Sequence, residues 1–168
     1  MQIRPAQLSD LEAIVAIYNA SIPGGMATAD TKPVSVESRR EWFAAHTPDK
    51  RPMWVAEEAS GGGATRVAGW VGFRSFYGRP AYEPTVEVSV YVHPDFHRRG
   101  IGRALMVHAI GAAPSVGVRT LLGFAFGHNT PSVRLLESLG FEHWGRLPGI
   151  AHMPDGRRDL VMMGLNVE

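Results

Sequence analysis

A chain of 168 residues, 45% hydrophobic and 20% charged, has the profile of one globular domain spanning 1–168. With no cysteine, it has no disulfides, cysteine zinc sites or thiol catalysis. A net charge of +1 argues against a dedicated polyanion binder but leaves room for a local basic site.

The opening MQIRPAQLSD carries no apolar leader, and no segment approaches the ~18 apolar residues that cross a bilayer. The expected compartment is the cytoplasm, with no membrane partner. Residues 1–4 predict a short strand. Leu11, Ile14, Val15, Ile17 and Tyr18 recur at helical spacing, which predicts a helix from Leu11 to Tyr18 capped by Ser9 or Asp10. Ile22-Pro23-Gly24-Gly25 ends it and opens a loop. Ser35 to Ala45 fits a second helix, with Ser35 as N-cap and Glu37 well placed in the first turn. Met53–Ala56 and Val67–Phe76 read as strands around a Ser60-Gly61-Gly62-Gly63 turn, and Gly78–Pro84 as a loop. Thr85 to Val92 is the clearest strand, because Val86, Val88, Val90 and Val92 alternate with Thr85, Glu87, Ser89 and Tyr91. Pro94 and Asp95 break it. A helix then fits Gly102–Ala113, a strand Thr120–Phe126, and a short helix Ser132–Leu139 ended by Gly140. Phe141–Leu147 and Leu160–Leu165 close the chain as strands, split by a Pro154-Asp155-Gly156 turn. This order predicts a mixed α/β layer structure.

The stretch after the valine strand carries the chemistry. His97-Arg98-Arg99-Gly100-Ile101-Gly102-Arg103 turns a strand into a helix. The first amides of a helix lack internal partners and carry partial positive charge. Gly100 and Gly102 let a phosphate approach the backbone, and Arg98, Arg99 and Arg103 add cations. The pattern reads as a diphosphate site. It is not a dinucleotide fingerprint, because Leu105 stands where a third small residue is required, and no phosphate loop of the G-x-x-x-x-G-K-S/T kind occurs.

This segment resembles the coenzyme A loop of the GCN5-related N-acetyltransferases (GNAT), Q/R-x-x-G-x-G/A, with His97 in the first position. Asn129-Thr130-Pro131-Ser132, Leu135 and Leu139-Gly140-Phe141 are similar to the same family's N-x-x-S/A-x-x-L-Y-x-x-x-G-F segment. Ile17-Tyr18-Asn19, Pro33-Val34-Ser35, Arg39-Arg40, Trp42-Phe43 and Thr85-Val86-Glu87 with Ser89-Val90-Tyr91-Val92 look like the phosphinothricin and methionine sulfoximine N-acetyltransferases. The resemblance implies the GNAT fold, a mixed central sheet with helices on both faces, splayed between the fourth and fifth strands.

It also implies a reaction: acetyl transfer from acetyl-CoA to the amine of a small amino-acid-like substrate. The pantetheine arm would pair with the backbone of Val90, Tyr91 and Val92, an N–H near Val92 would polarise the thioester oxygen, and the diphosphate would rest on the amides from Arg98 to Arg103. Asn129 would meet the cofactor arm, with Ser132 nearby. An ammonium must lose a proton before it can attack, and Glu87, matching the family's glutamate in T-V-E, is the expected acceptor. The bland alternative makes Glu87 the solvent-facing member of an alternating strand. The tyrosine that many relatives use to protonate the thiolate is Leu136 here; Tyr91, Tyr82 and His128 are possible substitutes. Arg74 and Arg79 are candidates for pairing with a substrate carboxylate, Thr28 reaches the substrate from the Pro23–Thr31 loop, and Phe76, Tyr77 and Tyr82 could wall a pocket. A homodimer is expected by resemblance.

His93, His108, His143 and His152 are scattered without metal-ligand spacing, so no metal is expected, and no basic-aromatic interleaving points to nucleic acid. Two other readings stay open: a protein or peptide N-terminal acetyltransferase, which needs an open groove, and a non-catalytic acyl-CoA sensor.

Overall fold

The alternation along Thr85–Val92 sorts its side chains onto two faces, and the whole sheet obeys the same division. The computed structural model describes residues 1–60 and 64–167. In chain order its elements are β1 (Gln2–Pro5), α1 (Leu11–Ala20), α2 (Arg40–Ala44), β2 (Met53–Ser60), β3 (Ala64–Ser75), β4 (Thr85–Val92), α3 (Ile101–Ala112), β5 (Thr120–Phe126), α4 (Thr130–Glu137), β6 (Glu142–Met153) and β7 (Gly156–Asn166). The strands form one mixed sheet in the order β1-β2-β3-β4-β5-β7-β6.

Helices cover both faces. On one, α3 lays Ile101, Leu105, Met106 and Ala109 against Val71, Phe73, Val86 and Val88, joined by Leu136 of α4. On the other, Ile14 and Ile17 of α1 pack on Met53, Val55 and Trp70, with Tyr18, Trp42, Phe43 and Tyr91 at the rim. Each fully buried large apolar side chain contributes about 1.5–3 kcal/mol.

All neighbouring strands run antiparallel except β4 and β5. That parallel pair holds for only three residue pairs, Thr85↔Thr120, Val86↔Leu121 and Glu87↔Leu122. Beyond them β4 continues to Val92 against β3, and β5 continues to Phe126 against β7. The sheet is therefore splayed between its fourth and fifth strands, the architecture of the GNAT fold.

Several local expectations change. The Ser35–Ala45 helix is a 3-10 turn at Glu37–Arg39 followed by the short α2. Ser35 Oγ does accept the Ser38 N–H at 3.1 Å, but Ser38 Oγ donates to the Ser35 carbonyl at 2.8 Å, and this local bonding competes with regular helix. Asp10 does not cap α1 with its side chain. Its carboxylate faces backwards, accepting the Gln7 N–H at 2.7 Å and two bonds from Arg4 at 2.7 and 2.8 Å. The strand predicted to stop at Leu147 runs on to Met153, because Pro148-Gly149 is absorbed in a register shift between Leu147 and Ala151, and Asp159 accepts the Gly149 N–H at 2.7 Å. Gly140 ends α4 as expected, at φ +89, with Phe141 N–H bonded to the Leu136 carbonyl. Of the predicted Ser60–Gly63 turn, Gly61 to Gly63 lie outside the described residues.

The Arg4–Asp10–Glu57 cluster joins β1, the turn before α1 and β2, with Arg4 reaching Glu57 at 2.6 Å. Burial pushes the Asp10 carboxyl up, but the Arg4 bonds and the Gln7 N–H outweigh it and hold the group below the usual carboxylate range. A depressed folded-state value gives stability that is present above the unfolded pKa of about 3.9 and lost as pH falls through the folded one. Asp10→Asn is expected to cost about 1–3 kcal/mol in urea unfolding at neutral pH. It should also flatten the loss of stability below about pH 4.

Candidate active site

Parallel β4 and β5 end on the same side of the sheet, and their divergence opens a cleft there. A cavity of about 430 Å³ lies beside it. Its floor is one face of the β3–β4 ladder: the cross-strand pairs Trp70/Tyr91, Gly72/Ser89 and Arg74/Glu87. Phe124 and Phe126 of β5 form one wall, Tyr18 of α1 another, and Ala27–Asp30, Arg39, Trp42 and His46 close over it.

The roof is tied down by polar contacts. Tyr18 donates to Asp30 Oδ2 and therefore accepts from Thr28 Oγ1 at 2.7 Å, while the Asp30 N–H donates to Thr28 Oγ1 at 3.2 Å. Arg39 reaches Asp30 at 3.3 Å, and its guanidinium lies 5.3 Å from the Tyr18 ring centre and 5.5 Å from that of Trp42. Tyr91 Oη donates to the Ala27 carbonyl at 3.3 Å, and Asn129 Nδ2 to that of Met26 at 2.9 Å. Burial, with Asp30 beside it, raises the Tyr18 phenol above its usual value, and burial does the same to Tyr91. Both phenols stay protonated at neutral pH.

Glu87 lies on the floor with its side chain 21% exposed, and Arg74 donates to its Oε2 at 2.7 Å. Arg74 is the more exposed partner, so the pair adds little stability and chiefly orients the carboxylate. Arg79 does not join it: its guanidinium lies 5.9 Å from the Tyr77 ring centre on the exposed loop before β4. Phe76, Tyr77 and Tyr82 cluster on that same loop and do not line the cavity. Of the three substitutes for the missing tyrosine, only Tyr91 reaches the cavity. His128 is stacked on Phe126, and Leu136 is buried against Gly123, where a Cβ would lie 3.0 Å from its Cδ1.

The loop from β4 to α3 holds two left-handed residues, Arg98 at φ +61 and Gly100 at φ +77. Such a kink turns amides outward into an anion-binding concavity. Among the described residues, none of the N–H groups from Arg98 to Arg103 has a protein acceptor. The His97 ring is engaged by the chain: its Nε2 donates to the Val92 carbonyl at 2.9 Å and ties the loop to the strand. The Arg99 guanidinium lies 5.1 Å from the Phe96 ring centre, and Arg103 donates to Ser138 Oγ at 2.7 Å. Asn129 caps α4 by accepting the Ser132 N–H at 3.2 Å, which leaves Ser132 half-buried beside it. Val90, Tyr91 and Val92 lie in the stretch of β4, Val88–Val92, that has no partner on β5. Among the described residues no group of three or more His, Asp or Glu side chains could hold a metal ion. No helix among the described residues is long and apolar enough to cross a membrane.

Reading from the residues alone missed Asp30, Arg39 and His46 as cavity residues. Arg39 and Trp42 belong to stretches that carried the family likeness without a role. The alternation of β4 does place Ser89 and Tyr91 on the face of Glu87, but nothing local to positions 30, 39 and 46 shows that they converge there.

The acetyltransferase (GNAT) family model matches residues 12–141. The chain is 49% identical over 164 residues to the candidate phosphinothricin acetyltransferase YwnH of Bacillus subtilis, covering 98% of each. It is 33% identical over 166 residues to the L-methionine sulfoximine/L-methionine sulfone acetyltransferase of Pseudomonas paraeruginosa, covering 99% of this chain and 94% of the relative. A crystal structure of a GNAT superfamily phosphinothricin acetyltransferase from Sinorhizobium meliloti, in complex with acetyl-CoA, superposes at TM-score 0.89 with 30% identity, over 99% of this chain and 88% of that one. The chain belongs to the GNAT family and is an acetyltransferase.

The two loop glycines should respond differently to a methyl group. Gly102→Ala places a Cβ 3.5 Å from Val92 Cγ2, an ordinary contact, and should leave urea unfolding and acetyl-CoA titration near wild type. Gly100→Ala must hold φ +77 and is expected to lose about 1–2 kcal/mol of stability. It should also weaken acetyl-CoA binding on the order of tenfold. Equal behaviour of the two variants would contradict the role given to the left-handed turn.

Proposed function

We propose that this chain acts as one cytoplasmic domain, paired as a homodimer, that transfers the acetyl group of acetyl-CoA to the amine of a small amino acid with a second polar head. Phosphinothricin and methionine sulfoximine are of this type. The carrying observation is the junction of two features at the splayed end of β4: the outward amides of Arg98–Arg103, and an aromatic-walled cavity holding Glu87, Arg39 and Arg74. Similarity to acetyltransferases of these amino acids supports the substrate class.

The diphosphate rests on the amides of Arg98 to Arg103, where left-handed Gly100 presents no side chain. Arg98, Arg99 and Arg103 supply positive charge, and His97 fixes the loop. The pantetheine arm supplies the missing ladder partner of Val90, Tyr91 and Val92, with Asn129 holding the opening turn of α4 and Ser132 beside the arm. An N–H near Val92 stabilises the oxyanion as it forms. Arg39 and Arg74 bind the substrate's carboxylate and polar head, while Thr28 holds Tyr18 and Asp30 in register around them. Glu87 accepts a proton from the substrate ammonium, freeing the lone pair that attacks the thioester carbonyl. Tyr91 protonates the departing thiolate. No step calls on a metal.

The tethered roof favours a small acceptor over a peptide, which requires an open groove. Glu87 in the cavity favours catalysis over a passive acyl-CoA sensor.

Glu87→Gln is expected to lower turnover at least about tenfold, with acetyl-CoA affinity little changed. Near-normal turnover would make Glu87 only a charge partner of Arg74. Arg39→Leu should raise the KM for the amino acid on the order of tenfold and leave the KM for acetyl-CoA alone. An acceptor screen by free-thiol release should include methionine sulfoximine, methionine sulfone, phosphinothricin, polyamines and short peptides. Reaction with amino acids alone is expected, and reaction with peptides alone would refute the substrate class.

A further inference from the structure

The nitrogen of an acceptor ammonium sheds two protons in each transfer, one before it attacks and one after the new C–N bond has formed. Glu87 accounts for one. We propose that Nε2 of His46 accepts the other; the inference rests on the acetyl transfer argued above.

The tautomer is set by a single contact. His46 Nδ1 lies 2.9 Å from the Trp42 carbonyl oxygen, which can only accept, so Nδ1 carries the hydrogen and Nε2 presents a lone pair. The ring is also fixed edge-on to Trp42, with centroids 4.8 Å apart. No buried side-chain nitrogen or oxygen among the described residues lacks a partner. Nε2 has none among them, so it opens onto the cavity that His46 lines.

The ring lies over a glycine. A Cβ on Gly72 would lie 3.4 Å from both Nε2 and Cδ2 of His46 and 3.1 Å from Met53 Cε. Gly72 faces Ser89 across the ladder, and the next pair on the same face is Arg74 with Glu87. The two pairs stand about 7 Å apart along the strands, so His46 and Glu87 flank one stretch of the cavity floor. The charged and titratable groups around His46 are Arg74, Glu87, Tyr91, Arg39, Asp30 and Tyr18. Burial lowers the pKa of His46, Arg74 lowers it further, and the Trp42 carbonyl only partly opposes them. The imidazole is thus neutral and able to accept at neutral pH, and it loses that capacity as acid protonates it.

The protons balance. The ammonium gives one to Glu87, and its lone pair forms the C–N bond while the carbonyl electrons move to oxygen. The cationic nitrogen gives its second proton to His46 Nε2. The oxyanion then re-forms C=O, the C–S pair leaves on sulfur, and the thiolate takes a proton from Tyr91. Glu87 and His46 discharge to water, which restores Tyr91, and one proton per turnover reaches solvent.

The test compares His46→Gln and His46→Ala with wild type, using methionine sulfoximine and acetyl-CoA. Turnover should fall about 10²-fold with the KM for acetyl-CoA unchanged. The acid limb of the kcat–pH profile should shift in His46→Gln and persist in Glu87→Gln, and added imidazole should restore His46→Ala. A wild-type pH profile in His46→Gln, or a loss in folded His46→Ala that imidazole does not restore, would overturn the assignment. Failure of the wild-type enzyme to acetylate any amine would instead overturn the function itself. The tautomer is checked apart from turnover by nitrogen-15 NMR of the imidazole: hydrogen on Nδ1 is expected, and hydrogen on Nε2 would refute the role.

Discussion

The rest of the molecule depends on the early end of the parallel pairing between β4 and β5. Each strand is held along its outer edge, β4 by β3 from Arg74–Glu87 to Gly69–Val92, and β5 by β7 through Phe126–Leu160. Their inner edges meet only as far as Glu87 and Leu122. Inside a sheet, a stretch of β4 without a β5 partner leaves backbone groups that need another hydrogen-bonding chain. An amide-bearing arm of strand-like reach would answer that need, and the proposed pantetheine pairing rests on this opening as well as on side chains.

Parallel strands also fix where their loops emerge. β4 and β5 finish on the same side, so the loops into α3 and α4 both begin at the open end. Small residues bring the helices close: Gly102 sits beside Val92 and Leu135, and Gly123 receives Leu136. Gly100 and Asn129 stand at the two helix mouths, one left-handed with open space around it, the other bonded to the Ser132 N–H and to the Met26 carbonyl. A single asparagine thus couples the start of α4 to the roof of the substrate cavity.

Much of this was legible in the sequence because it depends on near neighbours. The valine alternation, the glycines at 100 and 102 and the Gly140 stop are local signals, and each falls where the pattern placed it. Residues whose role is set by distant parts of the chain were not legible. Asp10 looked like a helix cap because its partners, Arg4 and the Gln7 N–H, precede it, and Glu57 completes the cluster from far along the chain. Arg79 is close to Arg74 in sequence, yet only Arg74 belongs to the ladder that faces the cavity. Arg39 and His46 come from a segment whose helix is broken into two short pieces, and only the tertiary fold turns them over β3 and β4.

The substitution at 136 shows how proton chemistry is distributed over this site. A leucine there fills the space above Gly123, so position 136 is apolar and offers no hydroxyl to a leaving thiolate. The ionisable groups lie instead on the opposite side of the cleft, where Glu87 and Tyr91 alternate along one face of β4 and His46 bends over Gly72. Burial keeps the Tyr91 phenol protonated and His46 neutral, while Arg74 holds the Glu87 carboxylate in place. Tyr91, Glu87 and His46 therefore share one face of the β3–β4 ladder. The strand proposed to hold the thioester would then also carry the groups proposed to move its protons, in place of a tyrosine on α4.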